Sequence, residues 1–342
     1  MRAIVFERHG GPEVLEYREV PAPEVGPDEA LVRVRACGVN RLDLFVRDGN
    51  LPHEIPMPHI SGSEVAGEVE QVGDLVTRFK PGDRVVIAPY LTCGVCEYCL
   101  MGEETICLHG DVLGRNSSGG YAEYVSVAAR QLLSIPDGIS FEAAAAVTLA
   151  TLTAWHMLVS RARLRPGEDV LVLGAGSGVG SAAIQIAKQG GARVFATAGS
   201  QDKLERAREL GADYTINHSD VDFRREVRSL TGKRGVDIVV EHVGEATWEQ
   251  SVGSLARNGR LVTTGATTGP NGKLNLDRLF GGQLSILGSF GGTRAELSKV
   301  LKMVAENRIK PVIHGIYPLE DAAEAQAVMA NRVQFGKLLL RP

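Results

Sequence analysis

The stretch Val170-Leu171-Val172-Leu173-Gly174-Ala175-Gly176-Ser177-Gly178-Val179-Gly180 decides the fold. Four apolar residues in a row read as a strand buried on both faces, here taken as Asp169–Leu173. The glycines let the backbone turn sharply into a helix over Ser181–Gln189. Such a turn gathers backbone N–H groups at a helix N-terminus, which suits a pyrophosphate. A tight turn with no ligand has the same glycines. The strand before it and the helix after it, inside a βαβ unit, favour a dinucleotide.

Downstream the alternation continues. Arg193–Thr197 reads as a strand, and Lys203–Leu210 as a helix stopped by Gly211. Val236–Glu241, Arg260–Thr264 and Leu284–Leu287 supply later strands. This predicts an α/β fold over 151–291, a doubly wound parallel sheet with helices on both faces. Upstream the character differs. Short β-type runs at Ala3–Glu7, Glu29–Cys37, Glu64–Val72, Arg84–Ala88 and Tyr121–Val127 are broken by Gly, Pro and Asp. That punctuation reads as an antiparallel, barrel-like β domain over 1–150. From 292 to 342 a long helix and the strand-like close Gly336–Leu340 are assigned to that same domain.

With 342 residues the chain is long enough for two domains. Its 37 basic and 41 acidic residues leave a net charge of −4, which offers no basic field for a nucleic acid. The longest apolar run, Phe141 to Val159, carries Glu142, Thr148, Thr151, Thr153 and His156, so it reads as a buried helix rather than a membrane span. Met1-Arg2-Ala3-Ile4-Val5-Phe6 meets Glu7 and Arg8 too early for an export signal. The expected setting is reducing and cytoplasmic, because four of the five cysteines crowd together and leave no disulfide framework.

Those four are Cys93, Cys96, Cys99 and Cys107. Four soft anionic ligands within one lobe match a closed structural zinc site, with Gly94 and Gly102 permitting the turns between them. An iron–sulfur cluster or a redox pair is the alternative. Cys37 stands apart and reads as a small buried residue beside a strand end. Where an acid would close the second parallel strand stand Ala198 and Gly199, with Ser200 and Lys203 just beyond. An uncharged pocket with a lysine suits a ribose 2′-phosphate, so NADP(H) is favoured over NAD(H), while Asp202 keeps NAD(H) open.

Taken together, these motifs resemble the medium-chain dehydrogenase/reductase superfamily, which includes zinc alcohol dehydrogenases and quinone oxidoreductases. The resemblance runs through Cys37-Gly38-Val39-Asn40, Gly62-Ser63-Glu64-Val65-Ala66-Gly67 and Pro81-Gly82-Asp83-Arg84-Val85. It continues in the four-cysteine lobe, Gly119-Gly120-Tyr121-Ala122-Glu123-Tyr124, Thr153-Ala154-Trp155 and the glycine-rich turn. It implies a GroES-like β-barrel domain beside a Rossmann domain, with the active site between them. It further implies that Gly176, Ser177, Gly178, Val179 and Gly180 meet the cofactor, with Gly244 and Gly265 lining it. Thr153 would face the nicotinamide, and Lys337 would approach the pyrophosphate.

The departures from that family carry as much weight. Its catalytic zinc ligands correspond to Asn40, Ser63 and Leu149, and its hydroxyl and histidine relay to Leu42 and Phe45. Leu149 cannot bind a metal, and the other two are weak ligands. One structural zinc and no catalytic zinc is therefore expected. Asn40, Asp43, Glu64 and Thr153 form the expected catalytic set, with Tyr90 and Asn116 as further candidates. The implied reaction is hydride transfer to a quinone, enone or other small carbonyl, whose own electron sink replaces the metal. One alternative is an alcohol dehydrogenase with an atypical zinc site, for instance at Cys37, Asp43, His59 and Glu64. Another is an NADPH-binding redox sensor without turnover. Leu284-Ser285-Ile286-Leu287-Gly288-Ser289 is expected at a sheet edge, pairing across a two-fold axis in a homodimer or homotetramer as the family does.

Overall fold

Gly, Pro and Asp cut the first part of the chain into short strands. These are β1 (Arg2–Val5), β2 (Glu16–Glu19), β3 (Glu29–Val39), β4 (Glu64–Val72), β5 (Arg84–Ile87), β6 (Tyr90–Leu91), β7 (Asp111–Val112), β8 (Tyr124–Ala128) and β9 (Leu132–Ser134). Among and after them lie α1 (Arg41–Asp48), α2 (Glu97–Leu100), α3 (Phe141–Ala145) and α4 (Ala150–Trp155). Strand and helix then alternate through β10 (Asp169–Val172), α5 (Gly178–Gln189), β11 (Arg193–Ala198), α6 (Gln201–Glu209), β12 (Tyr214–Asn217) and α7 (Phe223–Leu230). The alternation runs on through β13 (Val236–Glu241), α8 (Glu245–Ser254), β14 (Leu255–Thr263), α9 (Leu276–Gly281) and β15 (Ser285–Gly288). The chain closes with α10 (Arg294–Ala305), β16 (Ile313–Pro318), α11 (Ala322–Ala330) and β17 (Lys337–Arg341). This is a computed structural model, and it describes residues Met1–Pro342.

The chain packs as two units, Met1–Leu152 with Gly292–Pro342, and Thr153–Gly291. In the second unit the six strands run in the order β12-β11-β10-β13-β14-β15, and every pair is parallel. All four residues of β10 are buried, as a central strand covered on both faces requires. Leu171, Phe195, Val239, Leu255 and Leu261 meet in its core. The strand order reverses direction at β10, which opens a crevice at the carboxyl ends of β10 and β13. β12 carries no strong alternation, being a four-residue edge strand with one fully buried position, Ile216. β14 starts at Leu255, ahead of the expected Arg260, because an irregularity follows its first pair with Val236 before the register resumes at Arg260.

In the first unit seven strands form one sheet, ordered β16-β17-β3-β4-β5-β9 with β8 also on β3. The expectation of a purely antiparallel domain needs correction. β16 and β17 are parallel, because α11 intervenes and returns the chain in the same direction. β1–β2 and β6–β7 form separate two-stranded sheets. Tyr121 precedes β8 instead of opening it, its N–H bonded to Ser61 and its carbonyl to Ile4. Val32, Val65, Val85, Tyr121, Leu338 and Leu340 share the core.

The single helix expected over Phe141–Val159 is instead α3, a turn, α4 and a π-helical segment His156–Arg161. The break has a local cause. The N–H groups of Leu149 and Ala150 leave the helical ladder and donate to the Glu64 carboxylate. No helix is long and apolar enough to cross a membrane.

Candidate functional site

Cys93, Cys96, Cys99 and Cys107 converge, their sulfur atoms all within 4.8 Å of one another. Gly94 (φ +77°) and Gly102 (φ +81°) turn the chain on either side of α2. Pairwise separations of 4.0, 3.8 and 3.5 Å bracket the edge of about 3.8 Å that four Zn–S bonds of about 2.3 Å define in a tetrahedron. Backbone N–H groups of Val95 and Cys96 point at the Cys93 sulfur and lower its thiol from the usual value. Similar bonds from Cys99 and Leu108 bring Cys96 down to about 6. Burial pushes the Cys99 thiol the other way, up to about 12, so thiolates are favoured at Cys93 and Cys96, and the donor set of the lobe fits a soft divalent cation. It is the one place where three or more metal-ligating side chains come together.

A second cluster surrounds Glu64, at the start of β4. Its carboxylate is wholly buried, and Oε1 accepts from Leu149 and Ala150 at 3.0 and 2.8 Å. Oε2 lies 2.6 Å from the Lys337 ammonium at the start of β17. Lys337 donates further to the Val39 carbonyl (2.8 Å) and to Asn40 Oδ1 (2.7 Å). The ammonium thus has three partners inside this unit, Glu64 by an ion pair and Val39 and Asn40 by hydrogen bonds. The expected role of Lys337 at the pyrophosphate is corrected accordingly: its ammonium is the counter-ion of Glu64. Gly38 makes the arrangement possible, since a Cβ there would stand 1.9 Å from Glu64 Oε2.

Asn40 caps α1, and its orientation is decided by Lys337. A donor-only ammonium must face the amide oxygen, which turns the amide NH2 the other way. Asp43 sits one turn on. It is fully buried, accepting from the Asn40 N–H at 2.7 Å and the Tyr121 hydroxyl at 2.8 Å. Asp43 thus holds the Asn40 backbone and the Tyr121 hydroxyl, and Glu64 holds the start of α4. Burial pushes the Asp43 carboxyl up to about 6 against the pull of those two donors.

The remaining candidates in this unit are engaged elsewhere. Ser63 is buried next to Glu64, and Leu149 is held through its backbone. His59 bonds the Gly114 carbonyl at 3.1 Å, and burial lowers its imidazole from the ordinary value. Cys37 is buried, which pushes its thiol well up. Cys37, Asp43, His59 and Glu64 do not bring their ligand atoms together as the four cysteines do. Tyr90 is buried in β6, and Asn116 bonds Asp111 and His53 in the following loop.

In the second unit the carboxyl ends of the parallel strands gather the expected cofactor residues. Gly174 to Ser177 form the turn, and Gly178, Val179 and Gly180 open α5. Ser177 is the N-cap, accepting from Gly180 at 2.8 Å. A Cβ on Gly180 would lie 2.3 Å from the Gly174 carbonyl, so helix and turn approach only through glycine. The N–H groups of Gly178 and Val179, at the first two positions of α5, have no intrahelical acceptor. Ser200 caps α6 at the end of β11, with Lys203 in its first turn. Gly244 (φ +99°) follows β13 and Gly265 (φ +76°) follows β14. Thr153 is buried at the start of this unit.

Three residues here escaped the sequence. Glu241 is a fully buried carboxylate that accepts from Val243, Gly244, Thr247 and Ser251 and so shapes the turn after β13. His242 reaches the start of the glycine-rich turn. His218 stands beside the end of β11, its Nε2 3.3 Å from where a Gly199 Cβ would lie. The available signal was position, since each directly follows or ends a strand whose carboxyl end faces the crevice.

Comparison with known proteins follows the same division. Residues 26–137 match the alcohol dehydrogenase GroES-like domain, and residues 178–306 match the zinc-binding dehydrogenase family. The chain is 37% identical to an alcohol dehydrogenase of Geobacillus stearothermophilus, over 100% of this chain and 99% of that one. It is 37% identical to a quinone oxidoreductase of Pseudomonas aeruginosa, again over 100% and 99%. A crystal structure of an NAD-dependent alcohol dehydrogenase superposes with a TM-score of 0.96 at 48% identity, covering 100% of both chains.

The buried pair makes a direct prediction. Lys337→Met strands the Glu64 carboxylate and should cost about 3–5 kcal/mol in urea unfolding. Adding Glu64→Gln, which retains an acceptor for Leu149 and Ala150, should recover much of that loss; a single variant as stable as wild type would refute the pairing. Asp43 predicts a pH dependence. Its native value near 6 exceeds the ordinary 3.8, so the native state binds the proton more tightly, and the resulting stabilisation is full below about pH 4 and lost as pH rises through 6. Between pH 4 and 7, wild type should lose about 2 kcal/mol more stability than Asp43→Asn, and parallel profiles would contradict this.

Proposed function

The chain belongs to the zinc-binding dehydrogenase family, with an alcohol dehydrogenase GroES-like domain, and we propose that it reduces a quinone, enone or similar carbonyl with a nicotinamide dinucleotide. One observation carries this reading. Around Glu64, the positions that would hold a catalytic metal are an asparagine, a serine and a leucine, and the Glu64 charge is already balanced by Lys337. An alkoxide would have no Lewis acid there, whereas a quinone or conjugated carbonyl accepts a hydride into its own π system.

The bound dinucleotide supplies the hydride. The chain's own residues position and stabilise. The glycine-rich turn and the start of α5 receive the pyrophosphate through backbone N–H groups. Ser200 and Lys203 receive a ribose 2′-phosphate, with no carboxylate at Ala198 or Gly199 to repel it. Asn40, its amide oriented by Lys337, offers an N–H to the carbonyl oxygen that gains charge. Thr153 packs against the nicotinamide. Cys93, Cys96, Cys99 and Cys107 hold one structural zinc per subunit, and thiolates kept for a metal suit a reducing, cytoplasmic setting.

Oxidation of NADPH and NADH against a panel of quinones and enones, with metal analysis of the same preparation, tests this. Turnover with a quinone or enone, one zinc per subunit, a lower KM for NADPH, and a raised NADPH KM in Lys203→Ala are expected. Two zincs per subunit with alcohol oxidation would establish an alcohol dehydrogenase instead. Dinucleotide binding with no turnover across the panel would leave a sensor. A KM for NADH equal to or below that for NADPH would remove the 2′-phosphate assignment.

Assembly follows from the sheet edge. β15 ends the six-stranded sheet with no neighbour beyond it, and Phe280 and Phe290 are exposed on either side in sequence. Such an edge is covered or used, and pairing with its copy across a two-fold gives a homodimer, or a tetramer of such dimers. Light scattering at micromolar concentration should show the dimer or tetramer, and Ile286→Pro should dissociate it. A monomeric wild type would rule the pairing out.

A further inference from the structure

The first peptide of the glycine-rich turn, between Leu173 and Gly174, is gripped at both ends. The Leu173 carbonyl lies 2.8 Å from His242 Nε2, contributed by the residue that follows β13. The Gly174 N–H points at Thr197 Oγ1 on β11, a longer contact of 3.4 Å. Glycine at φ +56° leaves this peptide otherwise easy to flip, because glycine tolerates either sign of φ. The stronger of the two restraints is the histidine.

A carbonyl can only accept, so Nε2 must carry the proton, and the imidazole is fixed in one neutral tautomer. The ring also covers Gly174, where a Cβ would lie 3.1 Å from its Cε1, and Ser177 Oγ stands 3.5 Å from the same Nε2. His242 is itself rigidly held. Its carbonyl accepts from Thr267, the next carbonyl from Thr268, and the preceding Glu241 is bonded to Val243, Gly244, Thr247 and Ser251. Glu241 is the one charged group acting on the ring, and its carboxylate is taken up by those donors. Burial keeps the imidazole below its ordinary value, hence neutral at physiological pH.

We propose that His242 is a positioning residue for dinucleotide binding, locking the Leu173–Gly174 peptide so that the glycine-rich turn meets the pyrophosphate in a single conformation. Neighbouring strands β13 and β10 are thereby joined across the floor of the crevice, beyond the last rung of their ladder. The inference rests on the dinucleotide reading of that turn.

Three variants and one spectrum test it. His242→Leu removes the donor, while His242→Gln places an amide N–H at a similar reach. His242→Leu should raise the KM and Kd for NADPH and NADH about tenfold, the scale of one lost hydrogen bond, with kcat within about twofold. His242→Gln should stay close to wild type. The control Thr197→Val should have the smaller effect, in keeping with its longer contact. Nitrogen-15 NMR of the wild-type imidazole should report the Nε2–H tautomer at neutral pH, a readout independent of how the variants fold. Unchanged KM in His242→Leu, an equal loss in His242→Gln, or an Nδ1–H tautomer would overturn the proposal. If wild type binds neither dinucleotide, the functional reading fails first and this inference falls with it.

Discussion

A carboxylate with no exposed surface needs a partner, and in the first unit Glu64 has one in Lys337. Taking either charge out of water alone would cost several kcal/mol, so the two must be buried together or not at all. That condition organises four elements at once. It draws β17, from the far end of the chain, onto the end of β3 through the Val39 carbonyl. It turns the Asn40 amide, starts α4 at the Glu64 oxygen, and requires glycine at position 38. Glu64 thus acts as an architectural anion, and its counter-ion fixes which way the Asn40 amide faces.

The second unit reaches the same end without charge. Its rigidity comes from buried parallel strands and from backbone groups satisfied at their carboxyl ends. Glu241 accounts for the turn before α8, and the Ser177 hydroxyl for the cap of α5. A pyrophosphate is bound by N–H dipoles that cannot reorganise, so the turn must already be correct before the ligand arrives. Side chains that grip the backbone of the turn, such as His242 and Thr197, supply that preorganisation.

Local grammar was legible in the sequence. The apolar run before Gly174, the cysteine spacing and the Val236–Glu241 strand each depend on neighbours within a few residues, and each element appears where those neighbours place it. What resisted reading was set by distant partners. Phe141–Val159 looks like one helix until Glu64, from another strand, takes two of its N–H groups. Lys337 looks like a phosphate ligand because a lysine beside Leu338, Leu339 and Leu340 does not announce which buried acid it serves. Asp43 and Glu64 read as catalytic candidates, but the sequence does not show that each is bonded by groups from distant segments, Tyr121 on one and Leu149, Ala150 and Lys337 on the other.

The cysteine lobe and the Glu64 cluster are held by separate means. Glu104, between Cys99 and Cys107, pairs with Arg294 at the start of α10 (2.9 Å), and Arg294 in turn donates to the Arg130 carbonyl. Arg130 donates to the Thr92 carbonyl, next to Cys93. The lobe is therefore anchored at both its ends to α10 and to the start of β9, through groups that touch neither Asn40 nor Glu64. The loop has little apolar cover of its own, with Val95, Leu100 and Leu108 all exposed, so these anchors and any metal the four cysteines hold must order it. Substituting Asn40, Ser63 and Leu149 removes nothing from that anchorage. The cysteine lobe and the Glu64 cluster therefore answer to independent physical demands, and a change in one leaves the supports of the other in place.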